Sequence, residues 1–501
     1  MRSYGRIALS ACVCPLLCAL AVAPGQACAA DGDLDPAFGD AGLVQMFLTG
    51  GDSYDYATDV AIDSRGRIVG AGSTVGESFG DARVIRLNED GSVDASFGSG
   101  GLVTSGFGGH YAYASSVAVD AVGRIVLAGR TTKSGLVDFA LDRYLENGSP
   151  DGSFGDNGTV FTKFAGGSEV TSLAIDSRDR IVAAGTRAGG LALARYLENG
   201  DLDPSFGNGG KVTAPEFEAE SIAIDSEGRI LVAGTAQVGS RQTFALARYF
   251  DDGRLDRSFC DAGIATADFA HSNAAEASSI AIDPRGRTVV AGGIIRDSGR
   301  SFAFARYDTD GTLDRDFGRD GKVTVPCSDA FCFAKGLAIE PRGRVLAVGF
   351  QGYDQLLVRL NRRGAPDDGF GRDGKVTTNF AGDDAQANAV AIDSEDRIVT
   401  AGGVYSLEFA RYIGDAPPSL KIRGPRKITT RHRRARARFR LRADQAVTFM
   451  CRVDSRRGSR CSSPFTTRNL HVGKHRLKVR ATDRTGHQTT KLKRFRIVRR
   501  P

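Results

Sequence analysis

Residues 220–249 read ESIAIDSEGRILVAGTAQVGSRQTFALARY, and this stretch decides the fold because its pattern occurs seven times. Its Ala-Ile-Asp element, its Gly-Arg-Ile hairpin and its Ala-Arg-Tyr element return together at intervals of 49–58 residues. The hairpin arginine marks the copies: Arg67, Arg124, Arg180, Arg229, Arg287, Arg344 and Arg397. Repeats of this length are typical of propellers and solenoids, in which each unit packs against its neighbours.

Each copy contains four short runs that alternate in hydrophobicity and are separated by Gly, Asp and Asn clusters, with no helical period. The Ala-Arg-Tyr run is followed by a turn, Asp-Gly-x-Leu-Asp-x-x-Phe-Gly in its full form, and by a fourth run such as residues 211–213. Each copy therefore predicts a four-stranded sheet.

The ends of the repeated region distinguish a closed ring from an open stack. The seventh copy stops after residues 409–412, without its turn and fourth run, and the missing elements stand at the other end as residues 33–39 and 43–46. A ring closed by an N-terminal strand requires this arrangement and leaves no exposed end sheet. We predict an all-β fold: a seven-bladed β-propeller in which residues 43–46 pair into the same sheet as residues 407–412, followed by a small β-sandwich.

Two residue sets recur in every copy and are predicted to be structural. The turn phenylalanine is expected to fill the space between neighbouring blades, and its adjacent glycine to allow a left-handed backbone. The Asp and Arg that bracket the hairpin are expected to cap its turn or to pair across it. A functional ring of arginines around a central channel is the alternative. The phenylalanines are Phe38, Phe97, Phe154, Phe206, Phe259, Phe317 and Phe370.

Three segments, Ala-Ile-Asp-x-x-Gly-Arg-Ile-Val-x-Ala-Gly, Phe-Ala-Leu-Ala-Arg-Tyr and Leu-Asp-x-Ser-Phe-Gly-x-x-Gly-Lys-Val-Thr, together resemble the delta-60 repeat. That family is predicted to form β-propellers in exported bacterial proteins. The resemblance covers about residues 31–415 and implies an extracellular propeller without implying any particular activity. Departures such as Asp179 and Asp396 for Gly, Glu340 for Asp and Cys260 for Gly concern turns.

The N-terminus predicts export. Residues 1–29 combine Arg2 and Arg6, an apolar run and a small-residue cleavage site at residues 27–29, as in a signal peptide. A lipoprotein signal ending at Cys12 is the alternative. Secretion to an oxidising compartment would allow disulfides, for which Cys327/Cys332 and Cys451/Cys461 are the natural local pairs. Cys260 would then stay unpaired.

Charge divides the chain near residue 416. Residues 31–416 carry 37 Lys or Arg against 56 Asp or Glu, whereas residues 417–501 carry 27 against 3. We therefore expect a propeller over residues 30–416 and a basic domain over residues 417–501. One strand of the basic domain is predicted to present a cationic face, formed by Arg434, Arg436, Arg438, Arg440 and Arg442.

Residues 449–454, 461–464, 473–475 and 479–483 of this basic domain resemble bacterial immunoglobulin-like modules, which implies a β-sandwich. Its charge would suit anionic cell-wall polymers or membrane surfaces. Docking onto an acidic propeller and a merely solvated basic surface are the alternatives. Specific nucleic-acid binding is not predicted, because few aromatic residues lie among the charges.

Candidate ligand-binding residues lie where the chain enters the Ala-Ile-Asp strand, a region that varies more than the framework. They are Tyr54, Tyr56, His110, Tyr111, Tyr113, Phe331 and Phe333. Asp308, Asp310 and Asp314 surround a Gly turn and form a candidate calcium site, although sister turns with Asn361 favour a plain Asx turn. No other cofactor is expected.

Catalytic motifs are not evident in the sequence. The propeller holds two histidines, His110 and His271, and neither lies in a nucleophile or zinc motif. The chain has no Trp, the most frequent sugar-stacking residue. We therefore expect a monomeric, secreted, envelope-associated binding or scaffold protein with an unknown protein or glycan partner. A propeller hydrolase or lyase acting on extracellular glycans is the alternative.

Overall fold

The computed structural model describes residues 31–500 apart from residues 49–52, 77–78, 109–110, 132–137, 189, 216, 261, 298, 329–330, 381–383, 415–419, 444–446 and 484–487. The predicted signal peptide, His110 and the predicted domain boundary therefore lie outside the described residues. Every regular element in the described part is a β-strand. That part contains no helix with the length and apolarity needed to cross a bilayer.

The repeated region forms seven sheets of four strands. The N-terminal strand is β1 Leu43–Met46, and the next three sheets consist of β2 Tyr54–Ile62, β3 Ile68–Gly76, β4 Phe79–Leu87 and β5 Leu102–Ser105 (sheet 1); β6 Ala112–Val119, β7 Ile125–Thr131, β8 Asp138–Tyr144 and β9 Thr159–Thr162 (sheet 2); and β10 Glu169–Ile175, β11 Ile181–Arg187, β12 Gly190–Tyr196 and β13 Lys211–Ala214 (sheet 3). The following three sheets consist of β14 Glu218–Ile224, β15 Ile230–Val238, β16 Arg241–Tyr249 and β17 Ile264–Ala267 (sheet 4); β18 Ala274–Ile282, β19 Thr288–Arg296, β20 Gly299–Tyr307 and β21 Lys322–Pro326 (sheet 5); and β22 Cys332–Ile339, β23 Val345–Gln351, β24 Asp354–Leu360 and β25 Lys375–Thr378 (sheet 6). Sheet 7 combines β1 with the last three strands of the ring, β26 Ala387–Ile392, β27 Ile398–Gly402 and β28 Leu407–Tyr412.

The sheets close into a ring. The first strand of each sheet contacts the first strand of the next, and β26 of sheet 7 contacts β2 of sheet 1. Strand β1 pairs antiparallel with β28, with Leu43 opposite Ala410 and Met46 opposite Leu407. The predicted closure by an N-terminal strand is confirmed, and the all-β repeat propeller with it.

The third strand of each sheet is covered on both faces, so its charged residues are buried together with its apolar ones. Strands β8, β12 and β28 are buried along their whole length, since each sheet lies between two others. The four-strand unit cannot bury these faces alone, so the fold depends on the ring. The cores lie between successive sheets, as in the cluster that joins Leu246 of sheet 4 to Val290 of sheet 5.

The turn phenylalanines fill the space between sheets, as predicted. All seven are at most 1% exposed, and Phe206 packs against Gly253 of the next sheet, where an added Cβ would lie 2.9 Å from the ring. The sequence did not reveal that the arginine of Ala-Arg-Tyr covers this ring. In each sheet that guanidinium lies 4.3–4.7 Å from the ring centroid and 2.7–2.9 Å from the turn aspartate.

The hairpin Asp and Arg pair across their turn, as predicted. In sheet 4, Asp225 accepts hydrogen bonds from the backbone N–H groups of Glu227 and Arg229, and its second oxygen lies 2.6 Å from the Arg229 Nε. The same contacts recur around Asp63 and Asp393. These arginines therefore act as structural residues of the hairpin.

The basic C-terminal region also consists of strands: β29 Leu420–Arg423, β30 Lys427–Thr430, β31 Arg434–Ala435, β32 Arg438–Ala443, β33 Val447–Val453, β34 Ser459–Cys461, β35 Phe465–Thr466, β36 Leu470–His471, β37 Gly473–Asp483 and β38 Gln488–Arg499. Strands β30, β38, β37, β33 and β34 form a five-stranded sheet, and β29, β32 and β35 form a three-stranded one. The predicted immunoglobulin-like assignment stays a prediction.

The prediction of one continuous strand over residues 434–442 is wrong. Strand β31 pairs with β36, whereas β32 pairs with β29 and β35. The change occurs at Ala437, which exchanges hydrogen bonds with Thr467 instead of continuing one ladder. The five predicted arginines are nevertheless all exposed.

Both predicted disulfides form, Cys327–Cys332 and Cys451–Cys461, and Cys260 is free.

Candidate binding site around the channel mouth

The propeller has two different faces. The chain enters each inner strand (β2, β6, β10, β14, β18, β22 and β26) at one end of the ring, which we call the loop face. The Asp-Arg hairpins and the phenylalanine turns lie at the opposite end, the hairpin face, because successive strands run antiparallel. The predicted aromatic residues belong to the loop face.

A β-bulge interrupts every inner strand at the same place. In sheet 4 the register shifts between Ala219 and Ser221, so that Glu220 is the extra residue. The corresponding residues of all seven sheets line a central channel of about 140 Å³. They are Thr58, Ser115, Thr171, Glu220, Ser278, Lys335 and Asn388. Bulges commonly re-aim a side chain near a functional site, and here they direct seven polar side chains into the channel.

Several bulge residues also connect neighbouring sheets. Thr171, Ser278 and Asn388 each donate a hydrogen bond to a backbone carbonyl of the next inner strand, at 3.0, 2.7 and 2.8 Å. An ionised carboxylate has no proton to donate, so Glu220 differs from these residues in chemistry as well as charge.

Glu220 carries a perturbed pKa. Burial raises the pKa of its carboxyl to about 7, and the nearby carboxylates of Glu218, Glu169 and Glu276 add to the rise, while Lys335 opposes it. A carboxyl that titrates near neutral pH can donate or accept a proton under ordinary conditions.

The residue two positions before each bulge stands at the channel mouth. These seven residues are Tyr56, Tyr113, Glu169, Glu218, Glu276, Phe333 and Gln386. Three consecutive sheets thus supply carboxylates, and three others supply aromatic rings. Arg130 joins the two groups, since its guanidinium lies 4.8 Å from the Tyr113 ring centroid and is paired with Glu169.

The structure distributes the predicted aromatic residues over strands as well as loops. Tyr54 and Tyr56 lie in β2, Tyr113 in β6 and Phe333 in β22, so the prediction that they occupy loops is wrong, because these strands begin earlier than the alternation indicated. Tyr111 and Phe331 precede β6 and β22 and are exposed. All six lie on the loop face, and their ligand-binding role stays a prediction.

Further aromatic residues on this face were not predicted. Tyr405 stacks on Tyr54 with ring centroids 5.3 Å apart, and Tyr353 is 73% exposed. Both lie in hairpins between the second and third strands of a sheet, which reach the same end of the ring. The exposed aromatic residues of the loop face are Phe47, Tyr54, Tyr111, Phe331, Tyr353 and Tyr405, whereas in the described hairpin face Phe250 alone is exposed.

Two of the three candidate calcium ligands, Asp310 and Asp314, have other partners. The Asp314 carboxylate binds Arg306 and Arg287, both at 2.8 Å, and Asp310 accepts hydrogen bonds from the N–H and hydroxyl of Thr312. Within the described chain, no three acidic, His or Cys side chains are grouped so that they could hold a metal ion. Protein contacts thus account for the carboxylates of Asp310 and Asp314, and the calcium site stays a prediction.

The C-terminal strands place cations directly opposite one another. Lys421 faces Arg442 and Arg423 faces Arg440 across the β29–β32 ladder, and Arg476 faces Arg494 across β37–β38. Like charges in such pairs repel. In the described part of this region, the one ion pair joins His475 to Asp454.

These features define a protein of the repeat β-propeller class. Five segments match the family model described as "Domain of unknown function (DUF5122) beta-propeller": residues 66–97, 123–154, 179–206, 226–259 and 286–317. The segments run from the hairpin to the turn phenylalanine, so they contain the residues that join the sheets. No curated protein matches the chain.

Solved structures resemble the fold at low identity. Virginiamycin B lyase from Staphylococcus aureus is 10% identical, with 74% of this chain and 99% of that chain covered and a TM-score of 0.46. An extracellular domain assigned to a hybrid two-component system of B. thetaiotaomicron is 13% identical, with 92% and 57% covered and a TM-score of 0.43. The chain thus spans little more than half the length of the second protein.

Proposed function

We propose that this chain is a secreted, envelope-associated binding protein whose loop face holds a glycan and whose basic C-terminal domain attaches it to an anionic surface. The observation that carries the proposal is the concentration of exposed aromatic side chains on the loop face, around a mouth edged with carboxylates. Exposed aromatic groups on one face of a rigid scaffold are typical of interaction surfaces.

A glycan without acidic groups suits this surface better than an anionic ligand does. Sugars present C–H faces to aromatic rings and hydroxyl groups to carboxylates such as Glu218, so one ligand would use both features. The carboxylates would repel an acidic ligand. The preferred ligand is therefore an uncharged or amino-sugar glycan.

Attachment to an anionic surface would explain the like-charge pairs of the C-terminal strands. A ladder that places Arg423 beside Arg440 costs stability, and a bound polyanion would remove that repulsion. Export is supported by the signal-like residues 1–29 and by two disulfides, which persist in oxidising compartments.

Glycan binding is tested by screening the full chain on an array of neutral, amino-sugar and acidic glycans. The variant Tyr54→Ala/Tyr405→Ala should lose at least about tenfold in affinity for the best ligand, because it removes a stacked pair from the loop face. Phe250→Ala, an exposed aromatic residue on the hairpin face, is the matched control and should bind normally. Binding of no glycan, or capture of a polypeptide by the same residues, would reject the glycan assignment.

Surface attachment is tested with isolated cell walls and anionic vesicles at increasing salt. Arg438→Gln/Arg440→Gln/Arg442→Gln should release the protein at lower salt than the parent chain, because binding through cations weakens as salt rises. Arg241→Gln/Arg257→Gln changes exposed propeller arginines and should have no effect. Equal retention of both variants would reject the tether.

A second candidate function is glycan cleavage, favoured by one observation. Glu220 projects into the channel close to three other carboxylates, and its pKa of about 7 would suit a general acid. Incubation of any glycan ligand with the parent chain, followed by assay of reducing ends and unsaturated products, tests this function. Release that is abolished in Glu220→Gln while binding persists would support it, and absence of any release would reject it.

A further inference from the structure

A charge reversal distinguishes one junction between sheets from the others. In four junctions, the hairpin arginine of one sheet pairs with an acidic turn residue of the next: Arg67 with Glu146, Arg124 with Glu198, Arg180 with Asp251 and Arg397 with Glu89. Between sheets 5 and 6 the acidic residue is replaced by Arg362. Its equivalence is fixed by the backbone, because Arg306 donates to the Arg362 carbonyl at 2.7 Å just as Arg86 donates to that of Glu146.

The result is an arginine-rich groove on the hairpin face. It has a volume of about 730 Å³ and is lined by the hairpins and turns of sheets 5 and 6. Arg362 donates a hydrogen bond to the Arg342 carbonyl, which joins the hairpin of sheet 6 to the turn of the same sheet. Five arginines of the groove are exposed, and among the residues that the structure describes none of the five is ion-paired with a carboxylate. They are Arg285, Arg315, Arg342, Arg362 and Arg363.

The acidic residues of the groove leave this charge uncompensated. Asp283 is already bound by Arg287 at 2.6 Å, and Asp316 is the other acidic residue in the lining. The surrounding propeller carries more acidic than basic residues, so the groove is a local exception to its charge. Arginines collected without acidic partners are costly in the free protein and suit an anionic ligand.

The two hairpins of the groove differ from their sisters by a proline. Pro284 and Pro341 precede Arg285 and Arg342, whereas the other five hairpins have Ser or Ala at this position. Proline fixes its backbone torsion and is favoured at this place in a turn. A rigid turn holds its arginine in place before the ligand arrives, which reduces the entropy lost on binding.

We propose that this groove is a binding site for a linear acidic polysaccharide carrying carboxylate or sulfate groups. Guanidinium groups bind such oxyanions through two parallel hydrogen bonds. The groove lining contains no aromatic ring, so a nucleic acid would find charge there but no surface on which its bases could stack. The groove lies on the opposite face of the ring from the channel mouth, so its ligand is independent of the glycan proposed for the loop face.

The test measures binding of polygalacturonate, dextran sulfate, neutral dextran and an oligothymidylate to the full chain. Both charge variants are made in the Arg438→Gln/Arg440→Gln/Arg442→Gln background, which weakens the C-terminal domain's own binding of polyanions. There Arg342→Glu/Arg362→Glu should weaken binding of the two acidic polysaccharides by about tenfold or more. Arg362→Glu restores the acidic residue of the sister junctions, which favours folding of the variant. The control Arg241→Glu/Arg257→Glu makes the same change in net charge away from the groove and should weaken binding less than about twofold.

A local measurement separates this groove from the basic C-terminal domain. Labelling with phenylglyoxal, read by mass spectrometry, should show that either acidic polysaccharide protects Arg342, Arg362 and Arg363, while exposed Arg257 stays reactive. Unchanged labelling in the groove, equal losses in both charge variants, or preference for the oligothymidylate would each overturn the proposal.

Discussion

Arg411, on the last strand of the propeller, is ion-paired with Asp35, its Nη2 2.9 Å from the Asp35 Oδ2, although 376 residues separate the two in the chain. The same guanidinium lies 4.7 Å from the Phe38 ring centroid and donates to the Glu89 carbonyl of sheet 1. In each of the six other sheets, the equivalent arginine, aspartate and phenylalanine lie within one continuous segment. In sheet 7 they join the two ends of the ring.

Asp35→Ala should therefore destabilise the propeller strongly. It leaves Arg411, which is 2% exposed, without its carboxylate, and loss of one partner of a buried ion pair typically costs about 3–5 kcal/mol. Urea unfolding followed by circular dichroism measures the change. Asp40→Ala, at an exposed position of the same segment, is the control and should change the midpoint little. An unfolding midpoint for Asp35→Ala equal to that of the control would contradict closure by this contact.

Phe206→Ala should also cost about 3–5 kcal/mol in the free energy of unfolding. The ring is fully buried between sheets 3 and 4 and lies against the Arg195 guanidinium, 4.6 Å from its carbon. Phe250→Ala removes an exposed ring and should cost under about 0.5 kcal/mol. Similar values for the two variants would show that the turn phenylalanines do not hold the sheets together.

The repeat made much of this framework predictable. Seven copies of one pattern revealed four strands per unit, the split seventh unit and the inter-sheet phenylalanines. The role of the Ala-Arg-Tyr arginine was missed, because a strand sequence does not show which partner its arginine meets. That partner, such as Asp203 for Arg195, lies in a separate turn.

The candidate sites were harder to predict than the fold. A bulge depends on hydrogen-bond register, so nothing about Glu220 or Lys335 as residue types placed them in a channel. One signal was present: Glu220 and Ser221 are consecutive polar residues where alternation would bury one. Likewise, Arg362 became notable once the structure placed it at the position of the acidic residues in the sister junctions. The break at Ala437 depends on a tertiary contact with Thr467.

Cys260→Gly should stabilise the propeller by up to about 1 kcal/mol. Cys260 has φ 45°, and the equivalent residue in the other six sheets is a glycine with φ 49–59°. A left-handed backbone costs a residue with a Cβ about 1–2 kcal/mol, which exceeds the extra entropy that glycine loses on folding. Thermal unfolding under reducing conditions measures the effect. Cys260→Ala, which also removes the thiol but keeps the Cβ, is the control, and an equal gain in both variants would assign the effect to the thiol.

Stability should depend on the ionisation of Glu220. Its folded pKa of about 7 lies above the ordinary value of 4.5, so the folded state holds the proton more tightly than the unfolded state does. Stability from this group is therefore fully present below pH 4.5, falls as the pH rises from 4.5 to about 7, and stays low above that. Glu220→Gln removes this dependence, and its amide could donate to a neighbouring carbonyl as Asn388 does. The variant should match the parent chain at low pH and exceed its unfolding temperature above pH 7.

Lys335→Met provides the complementary measurement, because Lys335 is the cation that lowers the Glu220 pKa. Its removal should raise that pKa further, so that stability goes on falling to a higher pH than in the parent chain. Thermal unfolding of the parent chain and both variants from about pH 4 to 9 gives the three profiles. A parent profile parallel to that of Glu220→Gln throughout would mean that the carboxyl titrates at its ordinary value, and the channel would then be too well hydrated to hold a proton-donating group at neutral pH.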